Sequence, residues 1–144
     1  MGFLTGKTAI ITGAGRAVLK DGSCGSIGYG IATAYAKEGA NLVITGRNVK
    51  KLEAAKQELE NLYGIKVLTV QADVCAGGDN EATVANVVKQ AVDTFGGIQV
   101  LINNAQASAS GVPLAEHTTE QFDLAIYSGL YAAFYYMKAC YPYL

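Results

Sequence analysis

Two glycine-rich segments, Thr12-Gly-Ala-Gly-Arg16 and Gly25-Ser-Ile-Gly-Tyr-Gly30, decide how this chain folds. They follow an apolar run, Thr8-Ala-Ile-Ile11, and precede a helical pattern that begins near Ile27. Nucleotide-binding α/β folds use this order of strand, turn and helix, because the free N–H groups of a helix N-terminus bind a phosphate that the glycines allow to approach. A glycine-rich loop beside a helix can also be only a turn. The remaining sequence must therefore distinguish the two interpretations.

Four apolar runs alternate with amphipathic helical patterns. The periodicity predicts strands at 7–11, 41–45, 66–70 and 98–102, and helices at 28–38, 49–63, 81–95 and 118–141. Asn48 and Gly64 are suited to begin and end the second helix, and Thr118-x-x-Gln121 forms a capping box for the last. Residues 1–144 are thus predicted to form one α/β domain, an incomplete Rossmann-type doubly wound parallel sheet with strand order 3-2-1-4.

The predicted buried faces of the first two helices follow from the same periodicity. Helix one would bury Ile27, Ile31, Ala34 and Tyr35, and helix two would bury Leu52, Ala55, Leu59 and Leu62. The last helix carries aromatic residues around its circumference, so it is expected to pack against further protein or, as the alternative, to line a steroid pocket. In the predicted order the fourth strand is a bare apolar edge, which would favour aggregation, partial unfolding or pairing with another chain.

Composition and charge exclude several classes of function. Of the 144 residues, 51% are hydrophobic and 16% charged, and the net charge is −1 without a Lys/Arg run, so no nucleic-acid partner is expected. No apolar stretch is long enough to span a bilayer, and the chain is predicted to be cytoplasmic and without a membrane partner. The three cysteines, Cys24, Cys75 and Cys140, are scattered, which favours reduced thiols and no metal site.

Arg47 follows the second strand, where a dinucleotide-binding fold places the residue that faces the adenosine ribose. An acid there suits the 2′-hydroxyl of NAD, whereas a guanidinium matches a 2′-phosphate. The segment Thr45-Gly-Arg-Asn48 holds no carboxylate. We therefore predict NADP (NADPH) as the cofactor, although an exposed loop arginine is the alternative interpretation.

These motifs resemble those of the short-chain dehydrogenase/reductase family. The phosphate loop is similar to Thr12-Gly13 with Gly25-x-x-Gly28, the adenine-contacting Asp-Val to Asp73-Val74, and the Asn-Asn-Ala-Gly motif to 103–106. The resemblance covers essentially the whole chain. It implies a set of residues that bind NADP: Gly13, Arg16, Ser26, Ile27, Gly28, Arg47, Asp73, Val74, Asn103 and Ala105.

Two further segments narrow the resemblance. Residues 102–111 and 122–131 are similar to bacterial members that oxidise the 12α-hydroxyl of bile acids with NADP. This implies a small-molecule substrate, a bile acid or another hydroxysteroid, and a homo-oligomeric full-length form. A 3-oxoacyl- or enoyl-acyl-carrier-protein reductase is the alternative, since residues 26–32 also resemble the enoyl reductase loop, but those enzymes generally lack the paired asparagines. A catalytically silent nucleotide-binding fragment is a third hypothesis.

The chain departs from the family pattern at four places. Residues 17–24 form an insertion, Gln106 replaces the glycine of the asparagine motif, and Gly129 stands where the family usually has an asparagine that supports a proton relay. The family's catalytic Tyr-x-x-x-Lys is absent from these 144 residues; the nearest spacing is Phe134-x-x-x-Lys138. The resemblance implies that the catalytic residues lie beyond Leu144, so we predict none here and expect the 144-residue chain to be inactive.

Overall fold

The computed structural model describes residues 2–73 and 80–144. Four parallel strands form one sheet in the order β3-β2-β1-β4, and they span Thr8–Thr12 (β1), Asn41–Gly46 (β2), Val67–Gln71 (β3) and Val100–Ile102 (β4). The helices span Ile27–Lys37 (α1), Val49–Tyr63 (α2), Asn80–Phe95 (α3), Thr119–Ala125 (α4) and Ala132–Cys140 (α5), with a π-helical segment at Ile126–Tyr131. The predicted fold class and strand order are confirmed.

Both faces of the sheet are covered, which explains why its central strands are apolar without interruption. Every residue of β1 is buried; Ala9 and Ile11 join the core under α1 and α2, whereas Ile10 joins the core under α3 and α5. Successive strand residues point to opposite faces, so a strand between two helical layers buries all of its side chains. The caps predicted for α2 are also confirmed, because the Asn48 side chain accepts the Lys51 N–H and Gly64 is left-handed.

The predicted buried faces of α1 and α2 are partly wrong. Ile31 and Tyr35 are half-buried against the core as predicted, but Ile27 is 77% exposed and Ala34 is also exposed. The fully buried stripe of α1 lies one position along. This stripe consists of Gly28, Tyr29, Ala32 and Ala36. Three members of the stripe are small residues spaced four apart, and they let the helix approach the sheet closely. On α2 the buried stripe passes from Leu59 to the half-buried Tyr63, and Leu62 is exposed.

The last predicted helix is interrupted. Its capping box at Thr118 and Gln121 is confirmed, but a π-helical turn separates α4 from α5. The buried Ser128 hydroxyl lies 2.7 Å from the Leu124 carbonyl and accepts the N–H of Ala107 at 2.8 Å. A side chain that inserts into the helical hydrogen-bond ladder widens it locally, and such bulges are frequent at functional sites.

The sheet edge and the last helices leave apolar surface exposed. In the part of the chain that the structure describes, β4 pairs only with β1. Helix α5 buries Ala132, Tyr136 and Cys140 on one side and leaves Phe134 and Met137 about half exposed on the other. Among the described residues, no helix combines the length and apolar character needed to cross a bilayer.

Glu58 on α2 ties the glycine-rich loop to α1. Its carboxylate accepts the Tyr29 hydroxyl and the Arg16 Nε–H, the latter at 2.6 Å, and the Arg16 backbone N–H donates to the Lys51 carbonyl at 2.9 Å. The hydrogen bonds from Tyr29 and Arg16 lower the pKa of Glu58. Burial, together with the Glu58 carboxylate, raises the pKa of Tyr29 to about 12. Glu58 and the Lys51 carbonyl therefore anchor the glycine-rich loop to α2.

Replacing Tyr29 by phenylalanine is expected to lower the free energy of unfolding at pH 7 by about 1–2 kcal/mol, near the lower end for a bond to a charged group because Glu58 is partly exposed. The pKa of Glu58 is depressed on folding, so its contribution is complete above the unfolded value near 4.5 and is lost as the pH falls through the folded value. Urea unfolding at several pH values measures both effects.

Tyr35→Phe is the matched control on the same helix, because within the described residues the Tyr35 hydroxyl has no hydrogen-bond partner. Equal stability of the two variants at pH 7 would contradict the role of Glu58.

Candidate active site

A cleft of about 270 Å³ opens where the parallel strands end, and we call it the strand-end cleft. The loops after all four strands line it, with Gly13 after β1, Arg47 after β2, Asp73 after β3 and residues 103–107 after β4. Its remaining wall comes from the π-helical segment and α5. The chain continues from β1 to β2 and β3 on one side of β1, whereas β4 lies on the other side of β1. Ligands of open α/β sheets bind at such a switch point.

Two glycines set the shape of the glycine-rich loop. Gly13 adopts φ +68°, a conformation that favours glycine. A Cβ at Gly28 would lie 2.1 Å from the Gly13 carbonyl oxygen and 2.6 Å from Asn104 Nδ2. The first turn of α1 therefore rests directly on the backbone of the loop, and this contact leaves no room for a side chain.

Thr12 and Asn104 join the loops that follow β1 and β4. The buried Thr12 Oγ1 accepts the backbone N–H groups of Asn104 and Ala105 at 3.0 and 2.9 Å. Asn104 Nδ2 donates to the carbonyls of Thr12 and Gly13 at 3.0 and 3.3 Å. Neither residue was among the predicted cofactor-binding residues. The signals that could have found them are a threonine at a strand end and the second asparagine of the pair.

The structure brings half of the predicted cofactor-binding residues to the strand-end cleft, namely Gly13, Arg47, Asp73, Asn103 and Ala105. Gly28 lies directly behind Gly13 at the start of α1. Ser26 caps α1 by accepting the Tyr29 N–H at 3.4 Å, and Ile27 begins the helix with an exposed side chain.

One predicted residue, Arg16, lies apart from this group. The Arg16 guanidinium is engaged by Glu58 and does not line the cleft. Val74 lies outside the described residues. The insertion at 17–24 forms a hairpin-like turn in which Val18 and Cys24 make an antiparallel bridge.

Tyr136 from α5 lies at the floor of the cleft and is 2% exposed. Burial raises its pKa to about 12, although a hydrogen bond with Thr45 opposes part of this shift. The phenol is therefore protonated at neutral pH, so it can serve as a hydrogen-bonding group but not as a base. In the sequence, Tyr136 is only one of several aromatic residues on the last predicted helix.

The residues present fit a phosphorylated dinucleotide. Gly13 lines the cleft, and the buried Gly28 lies directly behind it at the N-terminus of an eleven-residue helix, whose dipole favours a nearby pyrophosphate. At the β2 side the exposed Arg47 supplies a cation beyond the end of the strand. The cleft combines these groups with a wall of small side chains, including Ala105 and Ala107.

Comparison with known sequences identifies the protein family. The family described as short chain dehydrogenase matches residues 7–144, so the chain belongs to this family. The chain is 61% identical over 144 residues to the 12alpha-hydroxysteroid dehydrogenase of Clostridium sp., covering 100% of this chain and 53% of that protein. It is 33% identical to human hydroxysteroid dehydrogenase-like protein 2, covering 99% of this chain and 32% of that protein.

Solved structures agree with this assignment. L-sorbose reductase from Gluconobacter frateurii, complexed with NADPH and L-sorbose, superposes with a TM-score of 0.82 at 31% identity over 99% of this chain and 48% of its own. A metagenomic short-chain oxidoreductase in complex with NADP gives 0.81 at 28% identity over 96% and 57%. The chain spans about half the length of its Clostridium relative and of these two structures.

Proposed function

We propose that this chain binds NADP(H) and forms the cofactor-binding part of an oxidoreductase that acts on hydroxysteroids, with the 12α-hydroxyl of bile acids as its substrate group. The observation that carries the proposal is the strand-end cleft, which is lined by Gly13 of the glycine-rich loop and by Arg47, with the N-terminus of α1 directly behind Gly13. When bound, NADP supplies hydride transfer. The chain's own residues bind the phosphates, orient the two nucleotides and shape the floor of the cleft.

The preference for NADP rests on Arg47. Its guanidinium follows β2 and lines the cleft, and residues 45–48 contain no carboxylate that would repel a 2′-phosphate. The two structural relatives named above hold NADPH and NADP. Both observations support the phosphorylated cofactor over NAD.

The substrate class rests on the similarity to the Clostridium 12alpha-hydroxysteroid dehydrogenase, which extends over the whole of this chain. The paired asparagines, 103 and 104, favour this class over an enoyl-acyl-carrier-protein reductase. Asn104 has a structural task here that explains why it is needed, because its amide joins the loops after β1 and β4. Ser108 and Ser110, in the same loop, are candidates for lining the substrate site.

The chemical step requires a base that this chain does not supply. No Tyr-x-x-x-Lys occurs in the 144 residues, and the tyrosine in the cleft, Tyr136, has its pKa raised rather than lowered. An effective general base has a pKa near the working pH. We therefore propose that the 144-residue chain binds the cofactor without turning over substrate.

Titrating the chain with NADPH, and then adding a 12-oxo bile acid while NADPH absorbance is followed, tests the proposal. The expected result is saturable binding without NADPH oxidation. A folded chain that fails to bind NADPH would refute the cofactor assignment, and oxidation at a rate above the protein-free control would refute the absence of catalytic groups.

A further inference from the structure

Gln106 and Gly129 lie next to each other in the wall of the strand-end cleft, on its β4 side. A Cβ built at Gly129 would lie 3.5 Å from Cγ and 3.6 Å from Nε2 of Gln106, which is ordinary van der Waals contact. A longer side chain at 129 would extend into the volume that the Gln106 side chain fills. The glutamine thus uses room that only a very small residue at 129 leaves open.

The backbone on both sides of Gln106 is fixed. The Ala105 N–H donates to Thr12 Oγ1 at 2.9 Å, and the Ala107 N–H donates to Ser128 Oγ at 2.8 Å. The Gln106 amide itself forms no hydrogen bond to any residue in the ranges 2–73 and 80–144. A carboxamide on a fixed backbone therefore faces the cleft with its donor and acceptor available.

The position of this amide relative to Arg47 indicates what it contacts, and this step rests on the proposed function. If Arg47 binds the adenosine 2′-phosphate on the β2 side and the start of α1 binds the pyrophosphate beside β1, then the second nucleotide extends to the β4 side of the cleft. Gln106 lines that side. The groups within reach of a carboxamide there are ribose hydroxyls and the nicotinamide carboxamide, which are all hydrogen-bonding partners.

We propose that the Gln106 amide, seated in the space that Gly129 leaves, hydrogen-bonds the nicotinamide nucleotide of the bound cofactor and fixes its position. Gln106 is then a cofactor-positioning residue, and Gly129 is its steric complement. Substitution at one position should therefore depend on the residue at the other.

Two ligands distinguish this role from a general effect on binding. NADPH contains both nucleotides, whereas adenosine 2′,5′-bisphosphate lacks the nicotinamide nucleotide. Gln106→Gly is expected to weaken NADPH by roughly 3- to 15-fold, the value of one neutral hydrogen bond, and to leave the affinity for adenosine 2′,5′-bisphosphate unchanged. Equal weakening of both ligands, or unchanged NADPH affinity, would overturn the inference.

Thermal unfolding of the ligand-free chain tests whether Gln106 fills the space that Gly129 leaves. Gly129→Asn should lower the melting temperature, Gly129→Ala should not, and adding Gln106→Gly to Gly129→Asn should recover most of the loss. Additive effects of the two substitutions would overturn the pairing. If the wild-type chain bound neither ligand, the proposed function would fail, and the positioning role with it; binding of adenosine 2′,5′-bisphosphate without the NADPH difference would overturn this inference alone.

Discussion

Replacing Gly28 by alanine is expected to lower the free energy of unfolding by about 3 kcal/mol, the upper range for overpacking a tightly packed site. The new methyl group would lie 2.1 Å from the Gly13 carbonyl oxygen, which is a backbone atom and cannot rotate away. Helix α1 would have to move from the glycine-rich loop, and the contacts of Asn104 with this loop would be disturbed. Chemical denaturation measures the loss.

Gly30→Ala on the same helix is the matched control. Among the residues that the structure describes, a Cβ there meets only Cys24 Sγ, at 3.4 Å, and alanine is favoured over glycine inside a helix by roughly 1 kcal/mol. We expect Gly30→Ala to be neutral or stabilising. If both variants unfolded at the same denaturant concentration, the close contact between α1 and the loop would be wrong.

Arg47→Asp is expected to weaken NADPH binding by about 100-fold and to change NADH binding little, because a guanidinium–phosphate contact is lost and a repulsive charge is added. NADH has no 2′-phosphate, so it does not experience either effect. Affinities of both cofactors, measured at one fixed ionic strength, give the selectivity directly.

Lys50→Asp makes the same change of charge at an exposed position near the start of α2 and controls for the net charge of the chain. It should weaken NADPH only slightly. Equal losses of NADPH and NADH affinity in Arg47→Asp would refute the phosphate-binding role of this residue.

Local patterns predicted most of the fold because each depends on neighbours in sequence. The apolar run of β1, the Asn48 and Gly64 caps of α2 and the Thr118 capping box are all determined within a few residues, and the structure reproduces them. The buried face of α1 was predicted only in part, since the close contact of Gly28 with Gly13 turns a neighbouring stripe toward the core. Hydrophobic periodicity cannot reveal such a contact, because it reports only the spacing of apolar side chains.

The π-helical turn and the organisation of the site depend on residues that are distant in sequence. Ser128 lies in the π-helical turn and hydrogen-bonds Ala107, 21 residues away, and Thr12 hydrogen-bonds Asn104, 92 residues further along the chain. Motif spacing identified residues that line the cleft, such as Asn103 and Arg47. It could not show that Glu58 engages Arg16, since no local rule links these positions.

We propose above that the backbone near Gly28 and the guanidinium of Arg47 together bind a phosphorylated adenosine. A ¹⁵N–¹H correlation spectrum of the folded chain, titrated with adenosine 2′,5′-bisphosphate, tests it most directly. We expect saturable shifts of the amide signals of Gly13, Gly28 and Arg47, which NADPH reproduces and extends to residues 105–107. Shifts confined to other surfaces, or an unchanged spectrum at saturating ligand, would contradict it.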